Sequence, residues 1–238
     1  MEQDLNTEGS TALLDDEALT RSEIVANARI NRGRSVVGVN SYARELGLDP
    51  LAFLTERLSA GAHIAWLDLC CGAGNALIES ALYFAQHEWD ARVALVGVDL
   101  IDMFSPRPPN LSCLRRHTVP VSTWQPDRDF DLITCVHGLH YIGDKLGLLQ
   151  AAVSWLKPDG LLLAHLDYSN LRLTPPTTLS TLGKDLRQAG FVYNRARHLL
   201  QRQGKANIAL PYRYLGADDQ AGPNYTGQPA VHSFYARS

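Results

Sequence analysis

Beyond Gly61 the chain alternates short apolar runs with segments of helical spacing, and few architectures satisfy that order. The runs are AHIAWLDLC, ARVALVGVD, LSCLRRHTV, DFDLITCVH and GLLLAHLDY. Between them lie NALIESALYFAQHEW and DKLGLLQAAVSWL. In the first of these helices Ala76, Leu77, Ala81, Leu82 and Phe84 are expected to share one buried face. Strands separated by helices predict a parallel sheet with right-handed crossovers. Uninterrupted apolar strands predict a sheet covered on both faces. The expectation is therefore an α/β chain, doubly wound and Rossmann-like. Its sheet is mostly parallel, with helices on both faces. AVHSFYARS is expected as its last strand, running antiparallel.

The residues ahead of this region differ. Residues 1–20 carry six acids and no Lys or Arg, and are expected to be a flexible acidic tail. From Asp15 to Arg29 the pattern predicts one helix. Asp49 and Pro50 predict the capped first turn of another, DPLAFLTERLSAG. Residues 21–60 thus form a helical segment, and residues 61–238 the main domain. A loop insertion is expected around 203–230, where GADDQAGPNYTGQP collects turn formers.

Composition narrows the function. The formal net charge is −3, so no basic footprint for nucleic acid is present. No apolar run reaches the roughly 18 residues of a membrane span. Cys70, Cys71, Cys113 and Cys135 form no CxxC and have no zinc spacing. Four reduced thiols and a cytoplasmic location are expected.

In open α/β sheets, ligands bind beyond the carboxyl ends of the strands. Here the first strand runs into Leu67-Asp68-Leu69-Cys70-Cys71-Gly72-Ala73-Gly74-Asn75. Gly72 and Gly74 permit a tight turn and close approach to a ligand. Asp99 follows 25 residues after Gly74, at the end of the second apolar run, where an acid accepts both hydroxyls of a ribose. A dinucleotide site wants a third glycine, and Leu77 stands in its place. Asp68 also sits poorly beside a pyrophosphate and well beside an ammonium group. Charge complementarity favours S-adenosylmethionine over NAD.

LDLCCGAGN followed by VGVDL resembles the first two motifs of the class I S-adenosylmethionine-dependent methyltransferases. FDLITCVHGLHYIGD and LKPDGLLLAHL resemble that family's fourth-strand and fifth-strand segments, in the right order. The match covers about residues 64–167. The resemblance implies a seven-stranded sheet and a methyltransferase domain over 61–238, with 21–60 folded over the donor as a lid. It implies that Asp68 faces the methionine amine, that Gly72 and Gly74 form the floor, and that Asp99 grips the ribose diol. Leu100 would pack on the adenine. Cys70, Thr118, Val119 and Val136 would complete the donor site, and Tyr42 would cover the sulfonium by a cation–π contact. Two departures stand out: Cys70 occupies a position that is often Gly, and His117-Thr118-Val119 replaces an acid followed by a small residue.

The segment after the fourth strand, Val136-His137-Gly138-Leu139-His140-Tyr141, lies beside the donor methyl in this family. An ordinary imidazole changes charge near neutral pH, so His137 or His140 is a candidate base. Tyr141, Asp167, Tyr168, Asn224 and Tyr225 are candidate acceptor-binding residues, and Arg34 or Arg44 would clamp a carboxylate. The implied activity is methyl transfer to a small-molecule acceptor, in a monomer or homodimer without nucleic acid or membrane. No acid cluster follows the fourth strand, so metal independence is expected. Two other readings stay open: a different S-adenosylmethionine-dependent reaction such as cyclisation, and a non-catalytic partner protein that kept the fold.

Overall fold

The computed structural model describes residues 13–26, 33–175 and 179–237. In chain order the elements are α1 (Asp16–Thr20), α2 (Glu23–Ala26), α3 (Tyr42–Leu46), α4 (Pro50–Ser59), β1 (Ile64–Leu69) and α5 (Asn75–Gln86). Then come β2 (Val93–Asp99), β3 (Leu114–Thr118), β4 (Phe130–Cys135), α6 (Lys145–Ser154) and β5 (Leu156–His165). The last part holds β6 (Leu171–Thr174), α7 (Leu179–Gln188), β7 (Val192–Asn194), β8 (Leu199–Gln203), β9 (Tyr212–Asp218) and β10 (His232–Arg237).

Seven strands form the main sheet in the order β3-β2-β1-β4-β5-β8-β7. β1 to β5 run parallel, and β8 runs antiparallel to both its neighbours. Every residue of β1 and β4 is buried, because helices cover both faces of the sheet centre. One core cluster gathers Leu67, Val98, Ile133 and Leu162 with Leu149 of α6 and Leu182 of α7. The other gathers Trp66, Leu95 and Leu132 with Leu54 of α4 and Leu77 and Phe84 of α5. The alternation read from sequence is thus a two-faced sheet.

Three local expectations are corrected. AVHSFYARS is not the antiparallel strand of the main sheet. It forms β10 in a second, three-stranded sheet of order β6-β10-β9, and β8 takes the antiparallel place beside β5. The residues of β8 alternate too weakly to read as a strand: Leu199 and Leu200 are buried, whereas Gln201 and Gln203 are exposed. The helix expected from Asp15 to Arg29 breaks at Ser22, which is buried and bonds Asp219 through its hydroxyl. Its last residues, 27–29, lie outside the described residues. Leu82 is 36% exposed and does not share the buried face of α5, which runs through Ala76, Leu77, Ser80, Ala81 and Phe84.

Residues 1–12 of the acidic segment also lie outside the described residues. The part that is described is packed: Leu14 and Ala217 exchange backbone hydrogen bonds at 2.8 Å, and Leu19 is buried. The region expected as a loop insertion contains β9, and the turn that follows is pinched by a bridge between Pro223 and Pro229.

Candidate functional site

The carboxyl ends of β1, β2 and β4 open into a cleft of about 1050 Å³. The chain must turn sharply out of β1 to make it. Cys70 adopts φ 56°, and Gly72 and Gly74 adopt φ 60° and 72°, a conformation that favours glycine. Gly74 is the cap residue of α5, and its carbonyl accepts the amide of Ile78 at 2.9 Å.

The glycine missing from this turn is replaced from the opposite side. Gly97 of β2 faces Leu77 and Cys71; a Cβ there would stand 2.8 Å from Leu77 Cδ1 and 2.8 Å from Cys71 Sγ. Close approach of α5 to the sheet therefore rests on a glycine in the strand rather than in the helix.

Two acids organise the cleft. Asp99 is buried and lines it. Its Oδ2 accepts the Gly72 amide at 2.8 Å and its Oδ1 the Ile101 amide at 3.1 Å. The carboxylate thereby fixes the glycine turn. Asp68 is fully buried behind the lining. Thr134 donates to Oδ1 and Tyr42 to Oδ2, each at 2.6 Å, and Trp66 Nε1 donates to Thr134 at 2.8 Å. Burial pushes the Asp68 carboxyl up to about 7, against the two hydroxyls that favour its charge and with the nearby Asp99 adding to the rise.

Of the residues anticipated for the donor, Tyr42, Cys70, Gly72, Asp99, Leu100 and Val136 line this cleft. Thr118 is exposed at the end of β3, and Val119 serves Asp99 through its backbone amide. The wall beyond β3 is built instead from Pro120, Val121 and Ser122. Tyr141 also lines the cleft, and so do Asp16, Leu19, Thr20 and Val25 from the N-terminal helices.

A second cleft of about 960 Å³ lies over the ends of β4 and β5. It is lined by Arg44 and Glu45 of α3, His165 of β5, Arg197, and Tyr225, Thr226 and Gln228 of the C-terminal turn. Arg34 and His137 line both clefts, so they form the wall between them. His137 sits at φ 59° just past β4. Its Nε2 lies 3.2 Å from Glu45 Oε2, and the Tyr225 hydroxyl stands 3.4 Å from its Nδ1. Arg34 holds the other Glu45 oxygen at 3.1 Å. The bond with His137 and the charge of Arg34 keep the Glu45 carboxyl down at about 2 despite partial burial.

The remaining anticipated residues have other surroundings. His140 lines neither cleft; it is 1% exposed, and among the described residues neither ring nitrogen has a partner. Burial pushes its pKa down to about 2. Asp167 is buried and accepts the Tyr225 amide at 2.7 Å, which ties the C-terminal turn to the end of β5. Asn224 caps the same turn by accepting the Thr226 amide and hydroxyl. Tyr225 stacks on His198 with ring centres 3.8 Å apart, and Tyr168 stacks on Tyr193.

Glu45, His165 and Arg197 were not anticipated. His165 could have been found, because it ends a parallel strand on the side where ligands bind. Glu45 and Arg197 carry no local signal: one sits in a five-residue helix, the other in a turn after β7.

A doubly wound sheet with a glycine turn after β1 and an acid ending β2 defines a protein that binds a nucleoside-bearing cofactor. The chain belongs to the class I S-adenosylmethionine-dependent methyltransferase family: the model of a methyltransferase domain matches residues 40–203. No curated protein matches the chain. Among solved structures it is similar to a coclaurine N-methyltransferase (17% identity, 63% of this chain and 47% of that one, TM-score 0.40). It is also similar to the N-methyltransferase NodS from Bradyrhizobium japonicum (15%, 80% and 98%, 0.40) and to the [4+2]-cyclase SpnF (16%, 75% and 74%, 0.47). The chain spans about half the length of the first structures it matches. Among the described residues no helix is long and apolar enough to cross a membrane.

Proposed function

We propose that this chain transfers a methyl group from S-adenosylmethionine to a small-molecule acceptor, with the donor in the first cleft and the acceptor in the second. The observation that carries the reading is the shared wall: Arg34 and His137 face both clefts, so a methyl group leaving one reaches the other beside His137.

The residues of the first cleft suit the donor. The Asp99 carboxylate lines the cleft at the end of β2, where a ribose diol would meet it, and the amides of Gly72 and Ile101 hold it in place. Asp68, one hydroxyl behind the cleft surface at Tyr42, supplies negative charge toward an ammonium group. Leu100 and Val121 give an apolar wall for a base. When bound, the donor supplies a methyl already activated on a sulfonium, so the protein mainly aligns the acceptor and removes water. Val25, Arg34 and Tyr42 line the cleft from the segment 21–60, which acts as its lid. In the second cleft His137, rather than the sealed His140, touches the acceptor. Tyr225 and Thr226, anchored by Asp167 and Asn224, face it from the other side.

Calorimetric titration with S-adenosylhomocysteine, beside NAD, tests the donor site. Micromolar affinity for the first and none for NAD is expected; the reverse preference ends the reading. Incubation with S-adenosylmethionine and a panel of small acceptors, followed by mass spectrometry, then tests transfer. A gain of one methyl on an acceptor with matching S-adenosylhomocysteine is the expected product pair.

A further inference from the structure

Glu45, His137 and His165 come together from three separate elements, with one ligand atom of each within 4.8 Å of the others. His137 Nε2 lies 3.2 Å, and His165 Nε2 3.9 Å, from the same oxygen, Glu45 Oε2. The two imidazoles lie parallel, with centres 4.2 Å apart and planes 6° apart, and both bring Nε2 to the same carboxylate oxygen. Two ligands on a tetrahedral cation about 2.1 Å from each are roughly 3.4 Å apart, and the two measured separations bracket that spacing.

Hydrogen bonding alone does not account for this arrangement. His165 is 1% exposed, and among the described residues its Nδ1 has no partner. Its Nε2, at 3.9 Å, is beyond hydrogen-bonding reach of the carboxylate it faces. A metal ion between His165 Nε2 and Glu45 Oε2 would join two facing ligand atoms that stand too far apart for a direct hydrogen bond.

We propose that Glu45, His137 and His165 bind a divalent first-row transition-metal ion. Two imidazoles and one carboxylate suit such ions, whereas magnesium and calcium take oxygen ligands. Two of the three ligands have outer contacts of the kind that orient a ligand set. Arg34 bonds the far oxygen of Glu45, and the Tyr225 hydroxyl stands beside Nδ1 of His137. Coordination positions left by the protein open into the second cleft, among Arg34, Arg44 and Arg197. With one carboxylate beside a doubly charged ion and Arg34, Arg44 and Arg197 lining the same cleft, the surroundings favour an acceptor oxygen that bears negative charge. The expectation of metal independence rested on acids past β4; this group draws on α3, the turn after β4 and the end of β5 instead.

The proposal goes beyond the donor site, and its test is separate from it. Chelator-stripped full-length protein is titrated with zinc chloride and with cobalt chloride, and S-adenosylhomocysteine binding is measured on the same samples. One equivalent is expected to bind. Cobalt is expected to give d–d absorption without a thiolate charge-transfer band, which excludes the cysteines as ligands. His165→Ala and Glu45→Gln are each expected to weaken binding by about tenfold or more. Retained circular dichroism and S-adenosylhomocysteine binding show that the variants fold. Failure to bind one equivalent, a thiolate band, or unchanged affinity in both variants overturns the metal site. Loss of S-adenosylhomocysteine binding in the unmodified protein overturns the donor site instead.

Discussion

The hydroxyl of Tyr42, in the helix ahead of the sheet, donates to Oδ2 of Asp68 in the first strand at 2.6 Å. This bond fastens α3 over the turn where the first cleft begins, and Tyr42 also packs edge-on against Trp66 with ring centres 5.9 Å apart. Removing the hydroxyl leaves a buried carboxyl oxygen without its donor. Tyr42→Phe is expected to cost about 1–3 kcal/mol of stability, measured by urea unfolding, and to weaken S-adenosylhomocysteine binding.

Asp99→Ala removes both the proposed ribose acceptor and the clamp on the Gly72 amide. Hydrogen bonds to a charged group are worth about 1.5–3 kcal/mol, so donor affinity is expected to fall roughly tenfold to a hundredfold. Calorimetry measures this directly; an unchanged affinity would remove Asp99 from the donor site.

Asp68 has a defined pH signature. In the folded protein its carboxyl titrates near 7, and its ordinary value is 3.8. Between those values the folded chain holds a proton that the unfolded chain has lost. Stability from this group is therefore full below about pH 4 and is lost as pH rises toward 7. The difference in unfolding free energy between the native chain and Asp68→Asn, followed from pH 4 to pH 8, isolates that slope from the histidines. An ammonium group in the cleft favours the carboxylate, so S-adenosylhomocysteine binding at about pH 6 is expected to release a proton. Binding enthalpies that scale with the ionisation enthalpy of the buffer would show it.

Gly97→Ala tests the glycine that lets α5 approach β2. The added Cβ meets Leu77 and Cys71 at 2.8 Å, too close for either. Overpacking of this kind costs about 1–3 kcal/mol. Thermal unfolding is expected to show it, together with weaker donor binding, because Cys71 lines the cleft.

His137→Ala separates acceptor chemistry from donor binding. Methyl transfer is expected to fall by about a hundredfold or more, with S-adenosylhomocysteine affinity within about threefold, a free-energy change under about 0.7 kcal/mol. His140→Ala supplies the contrast: its loss acts through packing, so lowered stability with residual transfer is expected.

Much of the fold was legible because its signals are local. The apolar runs of β1, β2, β4 and β5, the glycine turn and the 25-residue step to Asp99 are properties of short windows, and each stands where the pattern put it. Leu82 was misjudged because helical spacing defines a stripe, whereas only the neighbouring strand defines its edge. The place of β10 was misjudged because alternation identifies a strand without naming its partners.

The sequence by itself determined the parallel sheet, the turn out of its first strand and the acid that ends its second, since period and spacing are carried along the chain. The tertiary structure decided the rest. It set Gly97 against Leu77 and tied the Tyr225 turn to Asp167. It also brought Glu45, His137 and His165 to one point from positions up to 120 residues apart. Such contacts are made by the packing of elements against one another, and no local pattern of residues encodes them.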